Sequence, residues 1–356
     1  MAKPATKYIP HPDNIDNMAQ VDHECLVGTP WENLGHIIPY GSNVQEMLEA
    51  AHLDWRVLRG NHRIEVTTAD GEEHNLPNDK SFALVRDSDL SILSPHVGPR
   101  YKVIQNEEAF TVFNEFVQAG QMTMETAGSF GNGQHIWGLA KTGHSFELAN
   151  GERIESYFLL LQSHLYGYAL KAMWTPIRFP GGFTLVQNIN KKGVGASQTY
   201  SMSHAREFTD ARVQEIKEVV GIAEKAMEDF RGKAEFMNRM RVDPKDAIEY
   251  LITLFDKSLA GRCETNGAEM PKTFAEIATS CANRNLKKVA RMLDKHYRDG
   301  QGTAWGCWST VNNAFDHELG HGDSTRLESI WLGKNKEVKN KGFNLAYLLA
   351  VDKGGE

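Results

Sequence analysis

The sequence predicts an α+β fold, with a β-rich N-terminal half of antiparallel hairpins followed by a helical C-terminal half. Three observations carry this. Strand-length runs bounded by Gly, Asn, Asp and Pro recur between residues 63 and 188, and from residue 211 the apolar residues shift to spacings of three and four. Helix-start signals, Asp243-Pro244 and Thr273-x-x-Glu276, then follow in the second half.

The elements follow in chain order. Residues 1–30 are polar and punctuated by Pro4, Pro10 and Pro12, which predicts an extended arm. A β-rich domain is expected over 31–200 and a helical region packed on it over 201–356. A short helix fits 44–51, and strands fit 63–67, 82–86, 136–141 and 157–163. Between them, Phe110, Phe113, Phe116 and Val117 sit at helical spacing within 107–118. Residues 157–164 and 169–174 flank Tyr166-Gly167-Tyr168 and read as a hairpin. Gly128 to Gly133 reads as a hairpin turn, because no strand-then-helix context makes it a dinucleotide fingerprint. Pro180-Gly181-Gly182 then breaks the chain before a strand at 183–188. Past the basic loop Lys191-Lys192-Gly193, Val213, Ile216, Val220, Ala223, Met227 and Phe230 mark one face of a helix over 211–240. Further helices are expected at 244–259, after Thr273, and at 285–298, 304–317 and 343–351.

Composition narrows the function classes. The chain has 356 residues, 41% hydrophobic and 24% charged, values of an ordinary globular protein. No run of about 18 apolar residues predicts a membrane span, and the N-terminus lacks the apolar stretch of a signal peptide. Four cysteines (Cys25, Cys263, Cys281, Cys307) include no C-x-x-C pair, which argues against a disulfide scaffold and fits a cytoplasmic location. The net charge of −7 is unevenly spread: residues 1–170 hold 11 Lys/Arg against 22 Asp/Glu, and residues 171–356 hold 28 against 24. A polyanionic partner would therefore be held by the second half.

Motifs for bond chemistry are few. No G-x-x-x-x-G-K-[ST] phosphate loop and no G-x-S-x-G elbow occurs, so neither ATP-driven nor nucleophile-elbow chemistry is expected. His317-Glu318-Leu319-Gly320-His321 spells H-E-x-x-H, which on a helix would place two imidazoles on one zinc ion. Gly320 and Gly322 predict instead that the helix ends there, and no third ligand follows at the extended spacing. A zinc hydrolase is the alternative reading, with no metal or other cofactor in the preferred one. A binding constellation remains. Lys287, Arg291, Lys295 and Arg298 form one stripe of the 285–298 helix, opposite Leu286, Val289, Leu293 and Tyr297. Lys171, Trp174, Arg178, Lys191, Lys192 and Arg206 mix cations with an aromatic ring near the hairpin. Cations on phosphates and rings stacked on bases are how single strands are commonly held.

Several segments resemble one family in order along roughly residues 25–350. They are Pro30-Trp31-Glu32-Asn33-Leu34-Gly35, Leu53-Asp54-Trp55-Arg56-Val57, Tyr101 to Asn106, Glu125-Thr126-Ala127-Gly128-Ser129 and Gln162-Ser163-His164. Thr175-Pro176-Ile177-Arg178 with Gln187-Asn188, and Thr303-Ala304-Trp305-Gly306 running to Asp316-His317, complete the set. The family is that of phage/plasmid-like proteins classed as a domain of unknown function (DUF932). The chain departs from its pattern where Leu165-Tyr166-Gly167 replaces an Asp-Gly turn and where Pro180-Gly181-Gly182 replaces a Cys. Carriage on mobile elements makes the family similar in context to the single-strand annealing proteins of phages, homo-oligomers that work without nucleotide hydrolysis. The resemblance thus implies a non-enzymatic, homo-oligomeric single-stranded DNA binding and annealing protein acting in recombination. A protein-binding factor directed against host defence is a further alternative.

Overall fold

A computed structural model describes residues 35–179, 183–184, 199–221, 223–320 and 323–354. The expected arm over 1–30, most of the 183–188 strand, Lys191, Lys192 and His321 lie outside these residues. The architecture is α+β, with antiparallel sheets in the first half and helices in the second. No helix among the described residues is long and apolar enough to cross a membrane.

The chain divides into two compact units built from interleaved segments. The first holds 1–144, 155–175 and 189–224; the second holds 145–154, 176–188 and 225–356. In chain order the first half contains β1 (His36–Ile37), α1 (Val44–Ala50), β2 (Val57–Thr67), β3 (Glu73–Arg86), β4 (Ile92–Val97), α2 (Asn106–Phe110) and α3 (Asn114–Gln118). It continues with β5 (Thr123–Phe130), β6 (His135–Glu147), β7 (Arg153–Ser163), β8 (Ala169–Phe179), β9 (Phe183–Thr184) and β10 (Thr199–Ser203). The main sheet runs β1-β5-β6-β7-β8-β10, with β9 paired to β8, and β2-β3-β4 form a separate sheet.

In the first unit, Phe110, Phe113, Ile136, Phe158 and Leu160 form one buried cluster. Gly138 is required there, since a Cβ would lie 2.6 Å from the Phe110 ring. The turn expected over Gly128 to Gly133 lies between β5 and β6, but only from Gly131 on, because Gly128, Ser129 and Phe130 end β5. Gly131, Asn132 and Gly133 all take positive φ (64°, 57° and 76°), a run that two glycines make tolerable. The 157–174 hairpin is present as β7 and β8, and it reads as near-continuous apolar sequence because β7 is buried on both faces. The β2–β3 hairpin is longer than the strands expected at 63–67 and 82–86.

The helices are α4 (Asp210–Gly221), α5 (Ala223–Arg239), α6 (Pro244–Phe255), α7 (Leu259–Asn266), α8 (Phe274–Ser280), α9 (Arg284–Arg298), α10 (Ala304–Asn313), α11 (Asp323–Trp331) and α12 (Lys334–Gly354). Pro244 opens α6 as expected. Thr273 caps α8 by accepting from the Glu276 backbone at 3.1 Å, whereas the Glu276 carboxylate accepts from the Lys272 backbone. Four aromatic rings knit the second unit: Phe230 lies 6.0 Å from Trp305 and 5.8 Å from Phe343, and Trp308 lies 5.0 and 4.8 Å from Trp305 and Phe343.

Candidate nucleic-acid interface

The sequence of α9, Arg-Asn-Leu-Lys-Lys-Val-Ala-Arg-Met-Leu-Asp-Lys-His-Tyr-Arg, sorts its side chains by chemistry. Leu286, Val289, Ala290 and Leu293 recur at helical spacing and are all buried. At about 100° per residue, Arg284, Lys287, Lys288, Arg291, Lys295 and Arg298 fall within an arc of about 100° on the opposite side. Asn283 starts the helix by accepting from the backbones of Asn285 and Leu286 at 3.0 and 3.1 Å. The first turn holds no acidic residue, so Arg284 faces the positive end of the helix dipole uncompensated.

Not all six cations face solvent in the same state. Lys287 donates to the Thr279 carbonyl at 3.0 Å and Arg291 to the Ala278 carbonyl at 3.2 Å. Both therefore satisfy the last carbonyls of α8, where cations are electrostatically favoured. Lys288 pairs with Glu318 at 2.8 Å, and Arg298 pairs with Asp294 one turn back. Arg284 and Lys295 are exposed, and neither forms an ion pair among the described residues. Beyond the C-terminal end of the helix, a polar cleft of about 300 Å³ is lined in part by Arg239, Arg241, His296 and Glu152. Burial lowers the pKa of His296, so this imidazole is held toward its neutral form.

The other sequence-predicted residues divide differently. Trp174 is 1% exposed, and its indole N–H donates to Ser156 at 2.8 Å, so the ring is not available to stack on a base. Burial on both faces of β8 is the reason. Arg178 pairs with Glu152 at 2.9 Å and donates to Ser309 at 3.0 Å, and Glu152 also accepts from Trp305 at 2.7 Å. That guanidinium serves the interior of the second unit. Lys171 is partly buried, which lowers its pKa, and Arg206 is exposed in the turn after β10. Lys191 and Lys192 lie outside the described residues.

The H-E-x-x-H segment does not form the helix that a zinc pair needs. A π-helical turn spans Ala314–Glu318, then Leu319 turns extended (φ −107°, ψ 146°) and Gly320 takes φ 102°. The helical path thus ends before Gly320, and Glu318 is engaged by Lys288; His321 lies outside the described residues. Among the described residues no group of three or more His, Cys, Asp or Glu side chains could hold a metal.

Sequence reasoning missed the buried polar networks. In the first unit Asn106 donates to the carbonyls of Leu53 (2.8 Å) and Trp55 (3.3 Å), and its Oδ1 lies 2.9 Å from His164 Nε2. With the Asn106 amide donating to carbonyls, Oδ1 is left as acceptor and His164 carries its proton on Nε2. Burial holds the His164 pKa down at about 3, so the ring is neutral. Gln105 joins in, bonding both the N–H and the carbonyl of Val57. A second cluster joins Tyr157 to Glu125 (2.9 Å) and Glu155 (3.0 Å), with Lys141 at 2.7 Å from Glu155. Burial raises the pKa of Glu125, and one phenolic proton is shared between two carboxylates. The two-residue spacing of Glu155 and Tyr157, which puts both on one face of a strand, was the available signal. In the second unit, Lys339 and Asp316 form an ion pair at 2.6 Å, their side chains 1% and 3% exposed.

Most of the segments that carry the family resemblance thus land on these networks rather than on an open cleft. No curated protein and no solved structure matches the chain. Residues 95–340 match the family model described as a domain of unknown function (DUF932), and the chain belongs to that family.

Proposed function

We propose that this protein binds single-stranded DNA along the basic face of α9 and anneals strands without nucleotide hydrolysis. The observation that carries the reading is the charge of that helix, six Lys/Arg against a single Asp, arranged in one stripe. Like charges at i,i+4, such as Arg284 with Lys288 and Arg291 with Lys295, destabilise a helix by about 0.2–0.5 kcal/mol per pair. A phosphate backbone laid along the stripe relieves that repulsion and releases counterions. Annealing asks for no bond chemistry, only a neutralised backbone with the bases left accessible. Arg284, Lys295 and Arg298 are the contacts assigned to phosphate, with Arg206 and the 191–192 lysines as further cations of the chain. The phage or plasmid origin implied by the family resemblance, the cytoplasmic setting that the cysteine usage fits and a role in recombination belong to this same reading.

Fluorescence anisotropy of a labelled oligonucleotide, single-stranded and as the duplex, across a salt series tests it. Tight binding that favours the single strand and weakens steeply with salt is expected. No binding at low salt, or equal affinity for the duplex, would overturn it.

A further inference from the structure

We propose that the outer face of the β2–β3–β4 sheet is a self-association surface that packs against the same face of a second copy of this chain. The register puts Leu58 opposite Val85, Val85 opposite Ile92, Gly60 opposite Ala83, His62 opposite Asn78, Ile64 opposite Leu76 and Val66 opposite His74. Side chains alternate along a strand and paired residues share a face, so these residues line one side of the sheet. Leu58, Ile64, Val66, Leu76 and Ile92 on that side are between 40% and 57% exposed. At the base of the hairpin the other side carries Val57 and Leu84, both buried in the core of the first unit. Along its outer part that other side carries Arg63, Glu65 and Glu73 instead.

The hairpin is therefore amphipathic, yet among the described residues Leu58, Ile64, Val66, Leu76 and Ile92 on its apolar side stay 40–57% exposed. From residue 61 to 67 and from 73 to 80 both faces lie at the surface. A two-stranded ribbon with two bare faces is marginal in water on its own. A contiguous exposed apolar face of this kind marks an interaction surface.

Charge identifies the occupant. The paired positions of this face hold no Asp, Glu, Lys or Arg. The charged residues of the hairpin fall on the opposite side, in the turn (Asp70, Glu72) or in the bulge (Asp79, Lys80). A nucleic acid or a strongly charged partner finds nothing here to hold it. Two copies of the face meet without like-charge repulsion around a two-fold axis, as an isologous interface requires. The size is adequate. Eleven residues of β2 span about 36 Å, and two to three strands about 10–14 Å, so two copies bury on the order of 1,000 Å², the lower bound of a specific interface. This surface does not depend on the proposed strand-binding face, and either could fail without the other.

Sedimentation velocity on the full chain between about 5 and 100 µM, without DNA, tests the proposal. The wild type is expected to populate a dimer or a multiple of it, and I64E/L76E to sediment as a monomer that still unfolds in one cooperative thermal transition. I64T/L76T keeps strand-forming character at residue 64 and trims two of the five large exposed apolar side chains of the face, so it is expected to weaken the dimer at least tenfold should the glutamates disturb the hairpin itself. E65Q/E73Q, on the opposite side, is expected to assemble like the wild type. A monomeric wild type over this range, full assembly of both apolar-face variants, or dissociation of E65Q/E73Q would each overturn the proposal.

Discussion

The basic face of α9 and the outer face of the β2–β3 hairpin are both surfaces in excess of what folding needs, and they differ in kind. On α9 the apolar stripe is buried and the surplus is charge, more cations than the helix can stabilise. On the hairpin the surplus is apolar area, placed on the side away from the core. The first calls for a polyanion and the second for an uncharged, shape-matched partner. Amphipathicity alone would have described both in the same words; which half of the pattern is left bare is what separates ligand from partner.

A change in the core should have the largest effect on both faces. Lys339→Met takes the ammonium away from the buried Asp316 carboxylate, which costs about 3–5 kcal/mol. Both faces should then be lost together with the fold, as a fall in the urea midpoint and loss of binding and assembly in parallel. A variant that keeps either activity at wild-type stability would show that this ion pair does not support the fold.

Acid acts on the core of the first unit by linkage. The folded pKa of His164 is depressed to about 3 from an ordinary value of 6.5, with burial the largest cause. Between those values the unfolded chain takes up a proton that the folded state refuses. Stability is therefore complete above about pH 6.5 and falls as pH drops toward 3, by about 2 kcal/mol at pH 5 for this one group. His36, lowered to about 4 by burial and by His52, acts in the same direction in the same unit. Urea titrations at pH 7.5 and 5 should show the loss, and His164→Gln should flatten it. Equal pH dependence in that variant would remove His164 from the account.

Trp174→Phe isolates the residue that the sequence offered for base stacking. Removing the indole N–H bonded to Ser156 should cost about 1–3 kcal/mol of stability. Oligonucleotide affinity should not change, and a tenfold loss of binding at unchanged stability would return Trp174 to the interface. The smallest effect concerns α9 itself. Arg284→Glu places an acid at the start of the helix and removes one like-charge pair, so it should raise stability by about 0.3–1 kcal/mol. The same change should weaken DNA binding, and a melt below that of the wild type would count against the stripe as an electrostatic liability.

What could be read beforehand follows the physics of burial. The β7–β8 hairpin and the helix starts at Pro244 and Thr273 were legible because apolar runs and caps are local signals. The full length of β2 and β3 was not, since a ribbon exposed on both faces shows no strong alternation around Gly60-Asn61-His62. β5 was hidden for a different reason. Gly128, where an added Cβ would lie 3.3 Å from the Trp137 ring, reads as a turn residue in sequence. The α9 stripe was visible, but the diversion of Lys287 and Arg291 to the carbonyls of α8 depends on a packing that no spacing encodes. Arg178 shows the same gap: its partners Glu152 and Ser309 are distant in the chain. The interleaving of the two units likewise rests on contacts far apart in sequence.

The central claim is that α9 carries the DNA contacts, and the slope of log affinity against log salt for a single-stranded oligonucleotide tests it most directly. In R284E/K295E/R298E the slope should become shallower by about 2, at about 0.7 per phosphate contact on single strands, with affinity down at least tenfold at low salt. A variant with the wild-type slope and affinity would contradict the account and place the binding surface elsewhere on the chain.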